Sequence, residues 1–259
     1  MNTAIDIRSL VIGHKGKGIL PPITAQIDEG SIVALAGPNG SGKTTLFRTL
    51  TASLPPISGS INLFGKDLSQ YNAKQRAALF SIVLTEKPDD IFLKVSDIVA
   101  AGRYPQLGLL ARLRDEDEAV IAKSLKTIGI EHLRDRNFNA LSDGEKQKVM
   151  IAKALVQDTP IIFLDEPSAF LDYPSKIELI QLLMRLAHDE NKTILFSSHD
   201  LELLIRYCDT LWIVAKNKPL LSGTPEKLIE NGSIEDYFSP LKVDEMFKMR
   251  NDSSSQRND

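Results

Sequence analysis

Gly37-Pro38-Asn39-Gly40-Ser41-Gly42-Lys43-Thr44 has the spacing G-x-x-x-x-G-K-[ST]. Glycines at these intervals let a backbone curl until successive N–H groups point at one phosphate, with the positive end of a following helix behind them. Lys43 is then placed to bridge β- and γ-phosphates, the Thr44 hydroxyl to complete a magnesium shell, and Thr45 to reach toward the α-phosphate. Farther along, Ile161-Ile162-Phe163-Leu164-Asp165-Glu166 is an apolar run ending in two acids. Beside a phosphate loop, Asp165 is suited to hold Mg2+ through a water, and Glu166, projecting differently, to take a proton from an attacking water. Together the two motifs point to binding and hydrolysis of a nucleoside triphosphate. Without the loop, DEP would read as a turn in which Pro167 ends a strand.

These residues need a scaffold, and the hydrophobic pattern supplies one. SIVALA is a near-continuous apolar run, as in a strand buried on both faces, and it feeds the phosphate loop. LFRTLTASL has helical spacing and predicts a helix that stops at Pro55-Pro56. AIDIRSLVIG and ITAQIDEG alternate as strands around an HKGKG loop, and GSINLFG and LFSIVL are further strands. VSDIVAAGR, DEDEAVIAKSLKTIGI and SDGEKQKVMIAKALVQ are three helices in a row, with Ser or Asp at their N-caps, and so predict an inserted helical subdomain. PIIFLDEP, KIELIQLLMRLAHDE, TILFSS and LWIVA then alternate strand, helix, strand, strand, the pattern of a parallel α/β sheet. In such a sheet the carboxyl ends of strands face the ligand crevice, where both the loop and Asp165-Glu166 fall.

Composition narrows the setting. A chain of 259 residues, 42% hydrophobic, has ample core to fold unaided. Its 31 basic against 34 acidic residues give a net charge of −3, which excludes the basic footprint of a constitutive nucleic-acid binder. No apolar run approaches the ~18 residues of a membrane span, and Asp6 and Arg8 interrupt the stretch where a signal peptide is apolar. Cys208 is the single cysteine, which excludes an internal disulfide or a cysteine zinc site and reads as an inert packed thiol. The expectation is a soluble protein of a reducing compartment, with His132 and His188 solvated and the polar stretch 250–259 disordered.

Leu141-Ser142-Asp143-Gly144-Glu145, opening a helix ahead of the acidic strand, resembles the LSGGQ signature of ABC (ATP-binding cassette) ATPases. The resemblance extends to about residue 225 in the family's motif order. It implies an α/β fold with a P-loop NTPase core of ABC ATPase type, an N-terminal antiparallel β-subdomain and an inserted α-helical subdomain. The boundaries are 3–240 for the ATPase domain, about 87–160 for the helical insertion and 241–259 for a short C-terminal segment. It also implies a head-to-tail homodimer in which Ser142 and the Gly144 N–H close on the γ-phosphate of ATP held by the other copy. Asp143 replaces a glycine and Glu145 the usual glutamine, and Ser142-x-x-Glu145 also spells a capping box. His199 matches the switch histidine that positions the attacking water. Ser168-Ala169-Phe170-Leu171-Asp172 matches the D-loop, although Asp172 could equally cap the helix near Pro174. His14 stands where the family carries an aromatic on adenine, or is a plain loop residue. Glu86, in VLTEKPDD, takes the place of the Q-loop glutamine, a magnesium-linked position.

VAAGRYP, containing Gly102-Arg103-Tyr104-Pro105, and ALVQD resemble the importer branch that serves iron–siderophores, haem and cobalamin. The implied protein is a Mg2+-dependent ATPase working beneath separate integral membrane permease subunits. A periplasmic or lipid-anchored solute-binding protein would act indirectly, and no nucleic acid would take part. Its place would be peripheral, on the cytoplasmic face of the inner membrane. The solute stays open, with ferric siderophore placed ahead. The alternative is a non-transport ABC ATPase acting on nucleic acid or the ribosome. Against it, this sequence carries no long coiled-coil insertion, no zinc-module cysteines and no second cassette.

Overall fold

The computed structural model describes residues 2–84, 92–107, 113–169 and 171–238. Strand β1 (Thr3–Val11) is followed by a ribbon of β2 (Gly13–His14) and β3 (Lys17–Gly18), then by β4 (Ile23–Asp28). The HKGKG stretch, expected as a loop, thus carries paired backbone, with His14 opposite Lys17. Strand β5 (Ile32–Ala36) is buried at every residue and leads through the glycine-rich loop into helix α1 (Lys43–Leu50). That helix ends well before Pro55, because Ala52 takes φ +55° and the N–H groups of Ala52 and Ser53 turn back onto the carbonyls of Thr49 and Arg48, at 3.1 and 2.8 Å. Strands β6 (Ser58–Leu63) and β7 (Lys66–Asp67) complete an antiparallel sheet of order β4-β1-β6-β7, with Ile7 opposite both Ala25 and Ile61. Helix α2 (Ala73–Leu79) then gives way to β8 (Phe80–Val83).

Three helices follow: α3 (Val95–Ala100), α4 (Asp115–Ile128) and α5 (Asp143–Val156). Ser142 caps α5 as expected. At α3 and α4 the N-caps are instead Lys94 and Arg114, whose N–H groups donate to the carboxylates of Asp97 at 3.2 Å and Asp117 at 3.0 Å. The acids sit three residues inside and reach back, so the capping signal lies one turn later than the cap itself. Arg103 ties this helical layer together, donating to Asp117 at 2.8 Å and to the Val156 carbonyl at 3.0 Å.

The remaining elements are β9 (Ile161–Leu164), α6 (Tyr173–His188), β10 (Thr193–Ser197), α7 (Leu201–Tyr207), β11 (Thr210–Ile213), β12 (Leu221–Gly223), α8 (Pro225–Glu230) and α9 (Ser233–Tyr237). The large sheet has the order β12-β11-β5-β10-β9-β8, parallel except for the β12 edge. Its strands alternate between two cores. Ile32, Ala34, Ile162, Leu164, Ile194 and Phe196 pack with the helices α3–α6. Val33, Leu35, Ile161, Phe163 and Leu195 pack with Leu46, Phe47 and Leu50 of α1 and with Ile5 and Ile7 of the N-terminal sheet. The Phe163 ring meets Phe47 and Phe80 edge-on, at 5.8 and 5.5 Å. Each such ring removed from water stabilises the fold by about 1.5–3 kcal/mol. Among the described residues no helix is long and apolar enough to cross a membrane.

Candidate active site

Adjacent pairing of β5, β10 and β9 brings three distant segments to one carboxyl edge: the loop 37–42, Asp165-Glu166 and Ser197-Ser198-His199. The loop's path depends on glycine at two points. At Gly37 (φ +153°) a Cβ would lie 2.2 Å from the Val214 carbonyl, and Gly42 takes φ +105° as the N-cap of α1. Pro38, Asn39 and Gly40 are exposed, while the Ser41 hydroxyl is buried with no hydrogen-bond partner among the described residues. Lys43 is buried, its Nζ donating to the carbonyls of Gly37 at 2.8 Å and Pro38 at 3.2 Å. Burial holds this ammonium below the usual lysine range, against the pull of Glu166 and Asp165. Thr44 is exposed on the first turn of α1, and Thr45 beside it meets His14, with Nε2 3.5 Å from the threonine hydroxyl. The β2–β3 ribbon therefore brings His14 to the loop.

Ser197, fully buried at the end of β10, joins the two acids. Its hydroxyl donates to Asp165 Oδ1 at 2.7 Å and accepts the Glu166 N–H at 2.8 Å. Burial pushes the Asp165 carboxyl above its usual range; the Ser197 bond opposes this and the Glu166 charge adds to it. Glu166 has φ +46°, a left-handed conformation that a non-glycine side chain adopts only at a cost in strain. That turn sends Glu166 away from the line of Asp165 and onto His199, whose Nε2 lies 2.5 Å from Oε1. Ser198 accepts the Asp200 N–H at 3.2 Å and lies 3.4 Å, hydroxyl to hydroxyl, from Ser168. Ser197 and Ser198 escaped the sequence reading; the signal was two hydroxyls closing an otherwise apolar strand, where burial demands partners.

The signature residues occupy a different place in this chain. Ser142, Gly144, Leu171, Ser175 and Leu179 line a cavity of about 130 Å³ that no loop residue borders. Both the N–H and the hydroxyl of Ser142 donate to Glu145 Oε2, at 2.8 and 2.9 Å, and the Ser142 N–H chiefly holds Glu145 below its usual carboxylate range. Glu145 thus turns back on its own cap. A Cβ at Gly144 would meet only ordinary contacts, Leu171 at 3.7 Å and Ser175 at 4.0 Å. Asp172 caps α6 through Ser175 N at 3.0 Å. Glu86 and Phe170 lie outside the described residues, as does 241–259. Cys208 is buried, and burial pushes its thiol far up, so it is inert as expected. His188 is exposed, as expected, and its ring also pairs with Asp209 at 2.9 Å, where the end of α6 abuts the start of β11. It borders a cleft of about 550 Å³ along α6, which none of the residues with chemical roles lines.

Residues 20–169 match the family described as ABC transporter. The ferric enterobactin transport ATP-binding protein of Escherichia coli is 34% identical over 87% of this chain and 83% of its own length. The cobalamin import ATP-binding protein of Halobacterium salinarum is 30% identical over 90% of this chain and 58% of its own length. Among solved structures, a metal-chelate type ABC transporter in an inward-facing conformation superposes with a TM-score of 0.80 at 25% identity, over 92% of this chain and 89% of that one.

Proposed function

Because the chain belongs to the ABC transporter family, we propose that it is the ATP-hydrolysing subunit of an importer that takes up an iron–siderophore complex through separate permease subunits. The observation that carries the catalytic part is the 2.5 Å contact between His199 Nε2 and Glu166 Oε1, one residue beyond Asp165. The triphosphate lies along Gly37–Thr45, with Lys43 leaving its two loop carbonyls for the β- and γ-phosphates. Glu166 takes the proton of the attacking water, and His199, already bonded to that carboxylate, orients the water and the γ-phosphate. The site also suits Mg2+: Asp165 is a hard oxygen donor buried at an electrostatic cost that a cation would offset, with the Thr44 hydroxyl beside the loop. Asp165, Thr44 and Glu86 would hold the ion, which supplies charge neutralisation at the phosphates.

Two copies stacked head to tail place Ser142 and Gly144 of one over the ATP of the other. Gly144 supports this reading, because the chain's own packing leaves room for a side chain there. Gly144 is the second residue of α5, where the helix's first N–H groups have no partner in its own ladder and suit an anion. The large exposed side chains Leu84, Phe92, Leu93 and Tyr104 around the helical insertion suit a permease surface. The assembly sits peripherally on the cytoplasmic face of the membrane, with a solute-binding protein on the other side. Siderophore is placed ahead of haem and cobalamin on the enterobactin relative.

Glu166→Gln tests the chemistry. Turnover should fall by roughly 10²–10⁴-fold with ATP binding kept; unchanged turnover removes Glu166 as the base. Affinity purification of the tagged chain from detergent-solubilised membranes tests the transport reading. A co-purifying multi-spanning permease supports it, and ribosomal or DNA-bound partners with no membrane protein would defeat it.

A further inference from the structure

Asp200 is the N-cap of α7, yet its carboxylate makes no hydrogen bond to its own helix. Aspartate at this position ordinarily accepts an N–H two or three residues on, a strong local preference. Here Oδ2 accepts instead from Lys176 Nζ, at 2.7 Å. Lys176 departs from a local rule too. It closes the first turn of α6, where its N–H bonds the Asp172 carbonyl and where the helix dipole favours anions over cations. Among the described residues the two departures meet in one ion pair, across two helices. Paired violations of local preference beside a site mark a requirement of the site and not of either helix.

The pair spans two chain segments that matter. Asp200 directly follows His199, and Lys176 follows the segment running from Asp165 through Asp172. The turn carrying His199 is therefore tied to the Glu166 segment on both sides, by Ser198 against Ser168 and by Asp200 against Lys176. We infer that Lys176 is a positioning residue for ATP hydrolysis, which acts through Asp200 to hold the turn that presents His199 Nε2 to Glu166 Oε1. This rests on the reading of His199 given above.

The test uses the full chain as wild type, Lys176→Met, Lys176→Arg, His199→Ala and the Lys176→Met/His199→Ala double variant, with kcat and KM for ATP and the affinity for ADP. Lys176→Met should lower kcat roughly ten-fold while KM and ADP affinity stay within about two-fold, and Lys176→Arg should restore about half or more of the lost turnover. In the His199→Ala background the same change should cost less than about two-fold, because the group it positions is gone. Equal losses in both backgrounds, or a fall in ADP affinity matching the fall in kcat, would overturn the inference. A His199→Ala chain with wild-type turnover would remove the role of His199 itself, a distinct result. If Lys176→Met does not fold, Asp200→Asn removes the same charge pair and carries the same cycle.

Discussion

Ser197 is the residue on which the two acids jointly depend, and Ser197→Ala measures that dependence. The substitution deletes one oxygen from a fully buried position in β10 and leaves backbone and packing in place. It removes the 2.7 Å bond to Asp165 Oδ1, a bond to a charged group worth about 1.5–3 kcal/mol. It also leaves the Glu166 N–H without its 2.8 Å acceptor, an unmade bond costing about 1–3 kcal/mol. The two are coupled through one oxygen, so a net loss of about 3 kcal/mol is expected, or roughly 6–12 °C in Tm for a chain of this size. The neighbouring Ser198→Ala is the control; its contacts are longer, 3.2 and 3.4 Å, and its loss should stay near or below about 1 kcal/mol. Thermal melts at pH 7 read both. Turnover should fall roughly 10- to 100-fold in Ser197→Ala, because the anchored amide holds Glu166 in its left-handed conformation. The Ser197 bond lowers the Asp165 pKa, so its loss should also move the acid limb of the pH–rate profile upward. A Ser197→Ala protein that melts with the wild type, or that is less affected than Ser198→Ala, would refute the reasoning.

Asp165→Asn should abolish Mg2+-dependent turnover yet raise Tm at pH 7 by roughly 2–4 °C, about 1 kcal/mol from removing a half-buried charge. The folded pKa of Asp165 lies above 3.8, so its stability contribution is present below that value and lost as pH rises, and the gap to the variant should widen from pH 4 to 7 in melts. Arg103→Met removes the 2.8 Å charged partner of the buried Asp117 carboxylate, leaving it the Arg114 N–H, and should cost about 1.5–3 kcal/mol at pH 7. The Arg114 N–H first, and Arg103 second, hold Asp117 below 3.8, so that contribution is present above 3.8 and lost as pH falls; the melting difference should shrink below pH 4. Gly37→Ala forces a Cβ into the Val214 carbonyl and should weaken nucleotide binding by roughly ten-fold or more, read by titration with ADP.

What the sequence made legible was local. The phosphate loop is contiguous, its glycines and Lys43 lie within one turn of chain, and the apolar run before it forces a buried strand. The acids at the end of β9 were readable for the same reason. Their relation to one another was not, because it depends on sheet register: Ser197 meets Asp165 only because β10 pairs with β9 through Phe196 opposite Leu164. The Lys176–Asp200 pair joins two helices with no shared periodicity, and spacing carries no trace of it. The caps of α3 and α4 were misplaced because a reaching acid and a capping acid have the same composition and differ only in position. Helix α9, five residues long, is too short for a 3.6-residue period to emerge from its flanks.

The order of the large sheet also has a consequence for how the protein is made. Strand β5, which leads into the phosphate loop, is paired on one side by β10 and on the other by β11, both encoded far downstream. The N-terminal sheet can assemble from β1, β4 and β6 as soon as they emerge, since its partners are near in sequence. IVALA cannot: until Ile213 has been synthesised, one or both of its edges stay bare. At roughly 5–20 residues per second that interval is on the order of ten seconds or more, long for an uncharged, β-prone segment on a nascent chain. The edge that carries the phosphate loop therefore forms only after the chain through β11 has been made, and a ribosome that stalls between α1 and β10 leaves an apolar strand unprotected.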